Sequence, residues 1–305
     1  MKSPMKSWLN VRNAVAALLV AGLLLLGVFA VVESRTESPL VRIDIFRGRA
    51  FLVDNGVLFF SNISFIPAFF FASTYGQIAL GQKATESSLL ILYFFLGFVT
   101  FAQIGGRMLD RTGAKRPVVL GCVLASVGYF LWAGQVSTLK AGSQVIYIIM
   151  AGAGLGLMLG QANTDAVNRA SRLSYGEATG ITQTVRNYGA SLGFAILGTV
   201  LISVFRSNIY NSLVAKGVPS AAAAAQAASD AQLQGGGSSS GGTGVASIPQ
   251  FIRADYASAT EAVLTGMGVI MAVAAAAALA GLKRGVQTQQ PDAPADAAAD
   301  RAPVT

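Results

Sequence analysis

The chain has no histidine, a single cysteine and few charged residues. Without histidine, Ser-His-Asp and Cys-His catalysis and histidine-ligated metals are excluded. Cys122 stands alone inside an apolar run, which excludes a disulfide framework and a Cys-based metal site. The sequence also lacks a Gly-Lys dipeptide, so it contains no Walker-type phosphate-binding loop. We therefore predict neither an enzyme nor a protein that needs a metal or cofactor.

Apolar residues dominate the composition instead. The chain is 53% hydrophobic and 12% charged, with a mean hydropathy of +0.57, whereas about a quarter of a soluble domain is charged. The net charge of +8 comes from basic residues in short loops between apolar runs. That distribution orients a protein in a membrane and does not build a nucleic-acid surface. We expect a lipid bilayer as partner and no nucleic acid.

Seven apolar segments are long enough to cross hydrocarbon about 30 Å thick, which takes about 20 helical residues. The sequence therefore predicts an all-α polytopic protein with spans at residues 13–32, 56–75, 88–106, 117–134, 143–162, 181–205 and 262–282. The organisation that follows is an N-terminal tail (1–12), a six-span bundle (13–205), a low-complexity extracytoplasmic loop (206–261), a last span (262–284) and a disordered cytoplasmic tail (285–305).

Basic residues alternate between successive loops. They concentrate after the first, third, fifth and seventh spans, which places those loops in the cytoplasm, the C-terminus inside and the N-terminus outside. The basic residues of the N-terminal tail, Lys2, Lys6 and Arg12, conflict with this orientation. An odd number of spans behind a basic tail is what a chain without its front half would show.

The loop at 106–116 reads G-x-x-x-D-R-x-G-x-K-R, and its elements are Gly106, Asp110, Arg111, Gly113, Lys115 and Arg116. Its glycines permit a sharp turn and close backbone approach. Asp110 can accept hydrogen bonds from helix-end N–H groups or from neighbouring guanidinium groups. This loop resembles the signature loop of the major facilitator superfamily of secondary transporters, with Met108 where leucine is usual.

Two further regions resemble fourteen-span EmrB/QacA-type drug:proton antiporters. Glu33, residues 39–40 and residues 46–51 are similar to the connector after their eighth span, and residues 176–180 and 186–200 to the entry and body of their thirteenth. The resemblance implies the C-terminal half of a facilitator fold in a bacterial plasma membrane. It also implies export of small amphipathic, often cationic, compounds by proton antiport, with a complementary N-terminal half or a second copy as partner.

The residues that couple protons in that family are not found here. The resemblance places them in the first and fifth spans of the full transporter, which this chain does not contain. We expect the acids of the chain to lie at span ends or in loops, among them Asp44, Asp54, Asp110, Asp165, Glu177 and Glu261. A coupling carboxylate usually lies within the membrane.

Several polar residues are candidates for the substrate path or a gate. Arg186 lies about five residues, or ~8 Å, into its predicted span; it either serves function or pairs with Asp165 or Glu177 or snorkels to the surface. The other candidates are Asn62, Pro67, Gln103, Gln183 and Asn187. Isolated amides also join helices to one another, so both interpretations stay open.

Glycines at four-residue spacing predict close helix packing, with hinge motion as the alternative. They are Gly152, Gly156 and Gly160 in the fifth predicted span and Gly189 and Gly193 in the sixth. Tyr75, Tyr129 and Trp132 lie near span ends and are expected to be interfacial anchors.

Three other interpretations of the sequence are a retinal protein, a secreted protein with a cleaved signal peptide, and a half-transporter or inactive fragment. A retinal protein needs a lysine in the middle of its last span, whereas Lys283 falls at the end. A cleaved signal peptide at 1–32 would have a shorter apolar run, usually about 7–15 residues. A half-transporter acting as an assembly partner, or a fragment without activity, is the alternative to transport.

Overall fold

The computed structural model describes scattered positions between residues 17 and 32, residues 49–170, 175–235 and 248–282, and residue 285. The chain divides into two units, Met1–Arg47 and Gly48–Thr305. In the first unit the described positions are helical and exposed, and they fall within the first predicted span. The predicted tails at 1–12 and 286–305 lie outside the described residues.

The described part of the second unit is built from seven helices. They are α1 (Arg49–Ile78), α2 (Ala84–Thr112), α3 (Lys115–Val136), α4 (Ala141–Arg169), α5 (Tyr175–Ala215), α6 (Ser220–Gly235) and α7 (Gln250–Gly281). All except α6 are long and apolar enough to cross a membrane. No strand occurs in these ranges. The prediction of an all-α polytopic membrane protein is confirmed.

Two helices occupy central places in the bundle. Helix α4 packs against α2 and α3 and also contacts α1 and α5, while α7 packs against α3, α1 and α5. Helix α5 is held by α1 and α7 on one side, and α6 lies along its outer half. The core runs between these helices and contains the fully buried Leu58, Leu155 and Met267.

Helix replaces much of the loop predicted at 206–261. Helix α5 continues to Ala215, and α7 begins at Gln250, well before the predicted start of the last span. Phe205, Ile209 and Leu213 extend the buried stripe of α5 at four-residue spacing. Ala223, Ala227 and Ala231 give α6 a matching buried stripe. The prediction of a loop was wrong over these helices because the alanine run forms a helix that packs on α5. Most of the Gly/Ser run lies outside the described residues.

Glycines let the backbones of α2 and α4 touch. A Cβ atom at Gly152 or Gly156 would overlap the carbonyl oxygen of Phe94 or Phe98 on α2. Gly154, on another side of α4, lies against the backbone of Ala125 on α3. Gly160 does not share this role: it is exposed, with no neighbouring atom within 4 Å of a Cβ placed there, so its predicted packing role was wrong.

Helices α1 and α5 meet through the same kind of contact. A side chain at Gly189 would meet the Phe59 carbonyl oxygen at 2.6 Å, and one at Gly193 would overlap the Ile63 carbonyl oxygen. Pro67 lacks an N–H group, so it leaves that same Ile63 carbonyl without its helical donor. The buried Pro67 therefore shapes a helix contact, because α5 can approach the freed carbonyl closely only where Gly193 lacks a Cβ.

The three aromatic residues expected at the membrane surface are buried instead. Tyr75, Tyr129 and Trp132 are at most 1% exposed. Trp132 Nε1 donates to Gln144 Oε1 (3.1 Å), Gln144 Nε2 donates to the Tyr75 hydroxyl (2.7 Å), and that hydroxyl donates to the Val136 carbonyl (2.8 Å). The polar atoms of Tyr75 and Trp132 join α1, α3 and α4, while the Tyr129 hydroxyl is buried without a partner among the described residues. The prediction of interfacial anchors was wrong.

Replacing Gly152 with alanine should destabilise the bundle, because the new Cβ would force α4 away from the Phe94 carbonyl. Overpacking of this kind costs about 1–3 kcal/mol. Gly160→Ala, on the same helix, is the matched control and should be neutral or stabilising because alanine favours helix. Thermal unfolding in detergent checks both. Equal midpoints for the two variants would contradict the packing role of Gly152.

Candidate functional site

The outer faces of the membrane-length helices differ in polarity. Helix α3 exposes Leu120, Val123, Val127 and Leu131, which suits contact with lipid tails. Helix α2 exposes Leu92 and Leu96 in the same way and then Thr100 and Gln103.

Helix α5 presents a more polar face. Its buried stripe, Gly189, Gly193, Leu197 and Leu201, faces the bundle. The opposite side exposes Thr184, Asn187, Ser191 and Thr199 together with Ile196 and Ile202. The three hydroxyl groups donate to carbonyls of their own helix at 2.7–3.0 Å.

Three of the predicted path residues come together at the inner half of this face. Gln183 Nε2 donates to Asn187 Oδ1 (3.1 Å), and Arg186 Nη1 donates to Gln183 Oε1 (3.4 Å). Arg186 Nε is buried without a hydrogen-bond partner in the described part of the chain. Neither Asp165 nor Glu177 forms an ion pair with Arg186 there. The cluster combines a half-buried guanidinium with two exposed amides.

An aromatic pair lies on another flank of α5. The rings of Phe59 on α1 and Tyr188 on α5 are roughly parallel, with centroids 6.4 Å apart and an interplanar angle of 23°. Tyr188 is 68% exposed, although it precedes the tightly packed Gly189. It stands two residues from Arg186, about 200° around the helix, so it does not share the face of the polar cluster. We call the surface formed by Gln183, Arg186 and Asn187 the α5 wall.

The structure separates the other predicted path residues from this wall. Asn62 is 2% exposed, and its amide donates to the Leu58 carbonyl of its own helix at 2.8 Å. Its prediction as a path residue was wrong because that side of α1 packs into the core. Pro67 is buried at the contact between α1 and α5, and Gln103 is exposed on α2.

The signature loop forms the predicted turn and adds a contact that the sequence did not indicate. Gly113 ends α2 with φ +78°, and α3 begins at Lys115. Lys115 Nζ donates to the Leu279 carbonyl at 2.6 Å, near the end of α7, where a cation also suits the helix dipole. Gly106 has no neighbour within 4 Å of a Cβ position, so the close approach predicted there was wrong.

Asp110 is not paired with a neighbouring guanidinium group in the part of the chain that the structure describes. Asp110, Arg111 and Arg116 are exposed. Their side chains therefore lie on the surface of this bundle, where they can contact water, lipid head groups or another protein segment.

Sequence reasoning missed a buried charge cluster between the N-terminal part of α1 and the C-terminal part of α4. Arg169 Nε lies 2.7 Å from Asp165 Oδ2 and 3.6 Å from Asp54 Oδ2. Asp54 is fully buried, and neither of its carboxylate oxygens has a hydrogen-bond partner among the described residues. Both acids lie within helices rather than in loops. The four-residue spacing of Asp165 and Arg169 was the only signal, since Asp54 joins through tertiary contact.

These features define a polytopic membrane protein whose polar groups concentrate on one helix face and near helix ends. Residues 7–194, more than half of the chain, match the Major Facilitator Superfamily. The chain therefore belongs to the Major Facilitator Superfamily.

Curated relatives carry names of resistance and transport proteins. The tetracenomycin C resistance and export protein of Streptomyces glaucescens is 27% identical over 91% of this chain and 52% of that protein. The multidrug transporter protein MdtP of Bacillus subtilis is 29% identical over 57% of this chain and 32% of its own length. The quinolone resistance protein NorB of Staphylococcus aureus is 25% identical over 60% and 40%. The chain spans about half the length of the first relative and less of the others, and the family indicates a transporter rather than an enzyme.

Removing the guanidinium of Arg169 should destabilise the protein strongly, because Arg169→Gln leaves Asp54 and Asp165 without their cation. Breaking a buried ion pair costs about 3–5 kcal/mol. Asp54→Asn in the same chain should restore part of the loss, and Arg107→Gln, an exposed charge, is the control. Thermal unfolding of the native chain, Arg169→Gln, Asp54→Asn, the double variant and the control checks this, because the coupling is the difference between the double variant and the sum of the two single variants. No coupling between positions 54 and 169 would contradict the cluster.

Proposed function

We propose that this chain forms the C-terminal half of an efflux transporter of the fourteen-span drug:proton antiporter type. The polar face of α5 carries the proposal. Amides and a guanidinium on the outside of a membrane-length helix are costly against lipid, and such residues line substrate paths or contacts with other helices. In facilitators the substrate site lies near the midplane between two halves of the protein. The α5 wall is then this half's side of the cavity.

The relatives support efflux as the direction and a bacterial plasma membrane as the location. All three compared above are bacterial, and one is named for export. The exposed Asp110, Arg111 and Arg116 fit the same proposal, because a second bundle would supply the groups that they lack here.

Proton coupling is assigned to the complementary half. The acids within the described membrane-length helices lie toward helix ends: Asp54 early in α1, Glu86 and Asp110 at the two ends of α2, Asp165 late in α4, Glu177 early in α5 and Asp255 early in α7. Glu261 lies 20 residues, about 30 Å, from the end of α7, which places it at the far edge of the hydrocarbon. None of these carboxylates is at mid-depth, where a coupling group usually lies.

The chain alone should not catalyse proton-coupled efflux, since one half supplies one wall of the cavity. Purified protein in liposomes with an imposed pH gradient should show no gradient-dependent uptake of a fluorescent dye. Co-reconstitution with a complementary N-terminal bundle from a fourteen-span relative should produce uptake, with that bundle alone as control. Saturable, gradient-dependent uptake by this chain alone would contradict the proposal and indicate a homodimeric transporter.

The outer ends of α5 and α6 should face away from the cytoplasm. In a Cys122→Ala background, Ser220→Cys should react with a membrane-impermeant maleimide in intact cells, because position 220 is exposed between α5 and α6. Arg116→Cys, exposed in the signature loop, should react only after permeabilisation. The reverse pattern would overturn the orientation.

A further inference from the structure

A groove lies between the outer half of α5 and α6. Its volume is about 420 Å³, within the range of ~300–1,000 Å³ that small-molecule sites occupy. Its polar lining comes from α5 and its apolar lining from α6: Ser203, Arg206, Ser207, Tyr210, Ala224 and Ala227. The spacing of the four α5 residues places them on one face of the helix. The two alanines leave room opposite them because a methyl group is their whole side chain. We call this space the α5–α6 groove.

The polar side chains of the groove are not used in helix packing. The hydroxyl groups of Ser191 and Thr199, earlier on the same helix, donate to carbonyls of that helix. Ser203, Ser207 and Tyr210 make no such side-chain hydrogen bond within the described ranges. The groove therefore holds three hydroxyl groups that can bind a ligand.

Arg206 is the charged residue of the lining, and it has no counter-ion. It is exposed, and no carboxylate that the structure describes lies at ion-pair distance from it. Asp230 stands six residues after Ala224 on α6, about 120° away around that helix, so it belongs to another flank. Asp255 on α7 accepts a hydrogen bond from Ser212 Oγ (3.1 Å) on a different side of α5. The groove is therefore a positively charged site.

The contacts of α5 with α7 place the groove at the level of the lipid head groups. Asp255 lies six residues, or ~9 Å, outward of Glu261, which marks the edge of the hydrocarbon. Asn208 Nδ2 donates to the Asp255 carbonyl (3.4 Å). Arg206 precedes Asn208 by two residues, so it lies ~6 Å outside the hydrocarbon. The polar layer of a bilayer is ~5–8 Å deep on each side, and the groove therefore opens within it.

A phosphate group fits the chemistry of this groove. Its oxygens accept hydrogen bonds, and arginine binds them with charge-assisted bonds in a planar arrangement. Basic pockets beside membrane helices bind the head groups of anionic lipids in this way. The lining contains no carboxylate that could pair with the ammonium group of a zwitterionic head group. A head group with a net negative charge is therefore favoured over a zwitterionic one.

We propose that the α5–α6 groove binds the phosphate of an anionic phospholipid such as phosphatidylglycerol. Arg206 contacts the phosphate oxygens, and Ser203, Ser207 and Tyr210 donate hydrogen bonds to the head group. Such a site requires only that α5 spans a bilayer, so it does not depend on whether the chain exports a substrate. Because the lipid contacts both helices, its binding also stabilises the packing of α6 on α5.

Native mass spectrometry of the purified full chain in detergent tests the proposal. The probes are phosphatidylglycerol and phosphatidylethanolamine with the same two oleoyl chains, added at equal concentrations. The native chain should bind its first phosphatidylglycerol about tenfold more tightly than its first phosphatidylethanolamine, the scale of one charged hydrogen bond. Arg206→Gln should remove this preference, and Arg206→Lys should retain part of it.

Two further variants separate recognition in the groove from a general effect of surface charge. Ala224→Leu fills the groove without changing its charge and should weaken the binding of phosphatidylglycerol. Lys140→Gln removes an exposed positive charge beyond the end of α3, on the same side of the membrane as Arg206, and should leave the preference unchanged. Circular dichroism confirms that each variant is folded. Inorganic phosphate, at the same concentration as the lipid, should not displace it.

Equal or tighter binding of phosphatidylethanolamine by the native chain would overturn the proposal. So would a Lys140→Gln effect as large as that of Arg206→Gln, or an unchanged preference in both Arg206→Gln and Ala224→Leu. Displacement of the lipid by inorganic phosphate would show that the groove binds a soluble anion and would overturn the lipid as its ligand. Binding is measured without a substrate or a pH gradient, so the outcome of the transport experiment does not affect it.

Discussion

Helix backbones touch in this bundle where glycine has no side chain to keep them apart. The packing of the other helices depends on those contacts. In a membrane, apolar side chains gain nothing by leaving lipid for one another, so close packing and hydrogen bonds must hold helices together. Gly152, Gly154 and Gly156 bring α4 against both α2 and α3. Gly189 and Gly193 bring α5 against α1. Because one face of α5 is buried in these contacts, its opposite face points away from the bundle.

The function of the protein then depends on what surrounds the exposed face of α5 in the membrane. An arginine at the centre of a membrane helix costs about 2.5–3.5 kcal/mol by insertion scales, and more where water cannot reach it. The α3 face, with Val123 and Val127, meets no such cost. Arg186 and its two amide neighbours therefore favour a water-filled path or a second bundle as the surroundings of α5.

Local sequence patterns predicted the features that depend on local chemistry. The lengths of the apolar segments predicted the six membrane-length helices of the described chain, and the glycines of the signature loop predicted the turn at Gly113. Four-residue spacing identified Gly152 and Gly156, but the same spacing also included Gly160, which has no neighbour within 4 Å of a Cβ position. Helix α2 continues past this level and contacts α4 at Leu157 and Gln161 instead, and periodicity does not reveal which face of α4 it follows.

Features that join distant segments could not be predicted in this way. Asp54 meets Arg169 only through the packing of α1 on α4. Tyr75 and Trp132 lie where membrane-surface anchors are expected in the sequence. Both are nevertheless buried, and both form hydrogen bonds with Gln144 on α4. Arg186, Gln183 and Asn187 share one face of one helix, so sequence spacing could group them, whereas the pairing of Phe59 with Tyr188 depends on the glycine contact between α1 and α5.

The most direct test of the account is the environment of α5 in a bilayer. Nitroxide labels at positions 187, 191 and 199 of α5 and at 123 and 127 of α3 report access to oxygen, which concentrates in lipid, and to a water-soluble nickel complex. The account predicts that the α3 labels favour oxygen, while the α5 labels favour the nickel complex or are shielded from both by protein. Oxygen access on α5 equal to that on α3 would show that lipid covers this face and would contradict the assignment of the α5 wall to a substrate path.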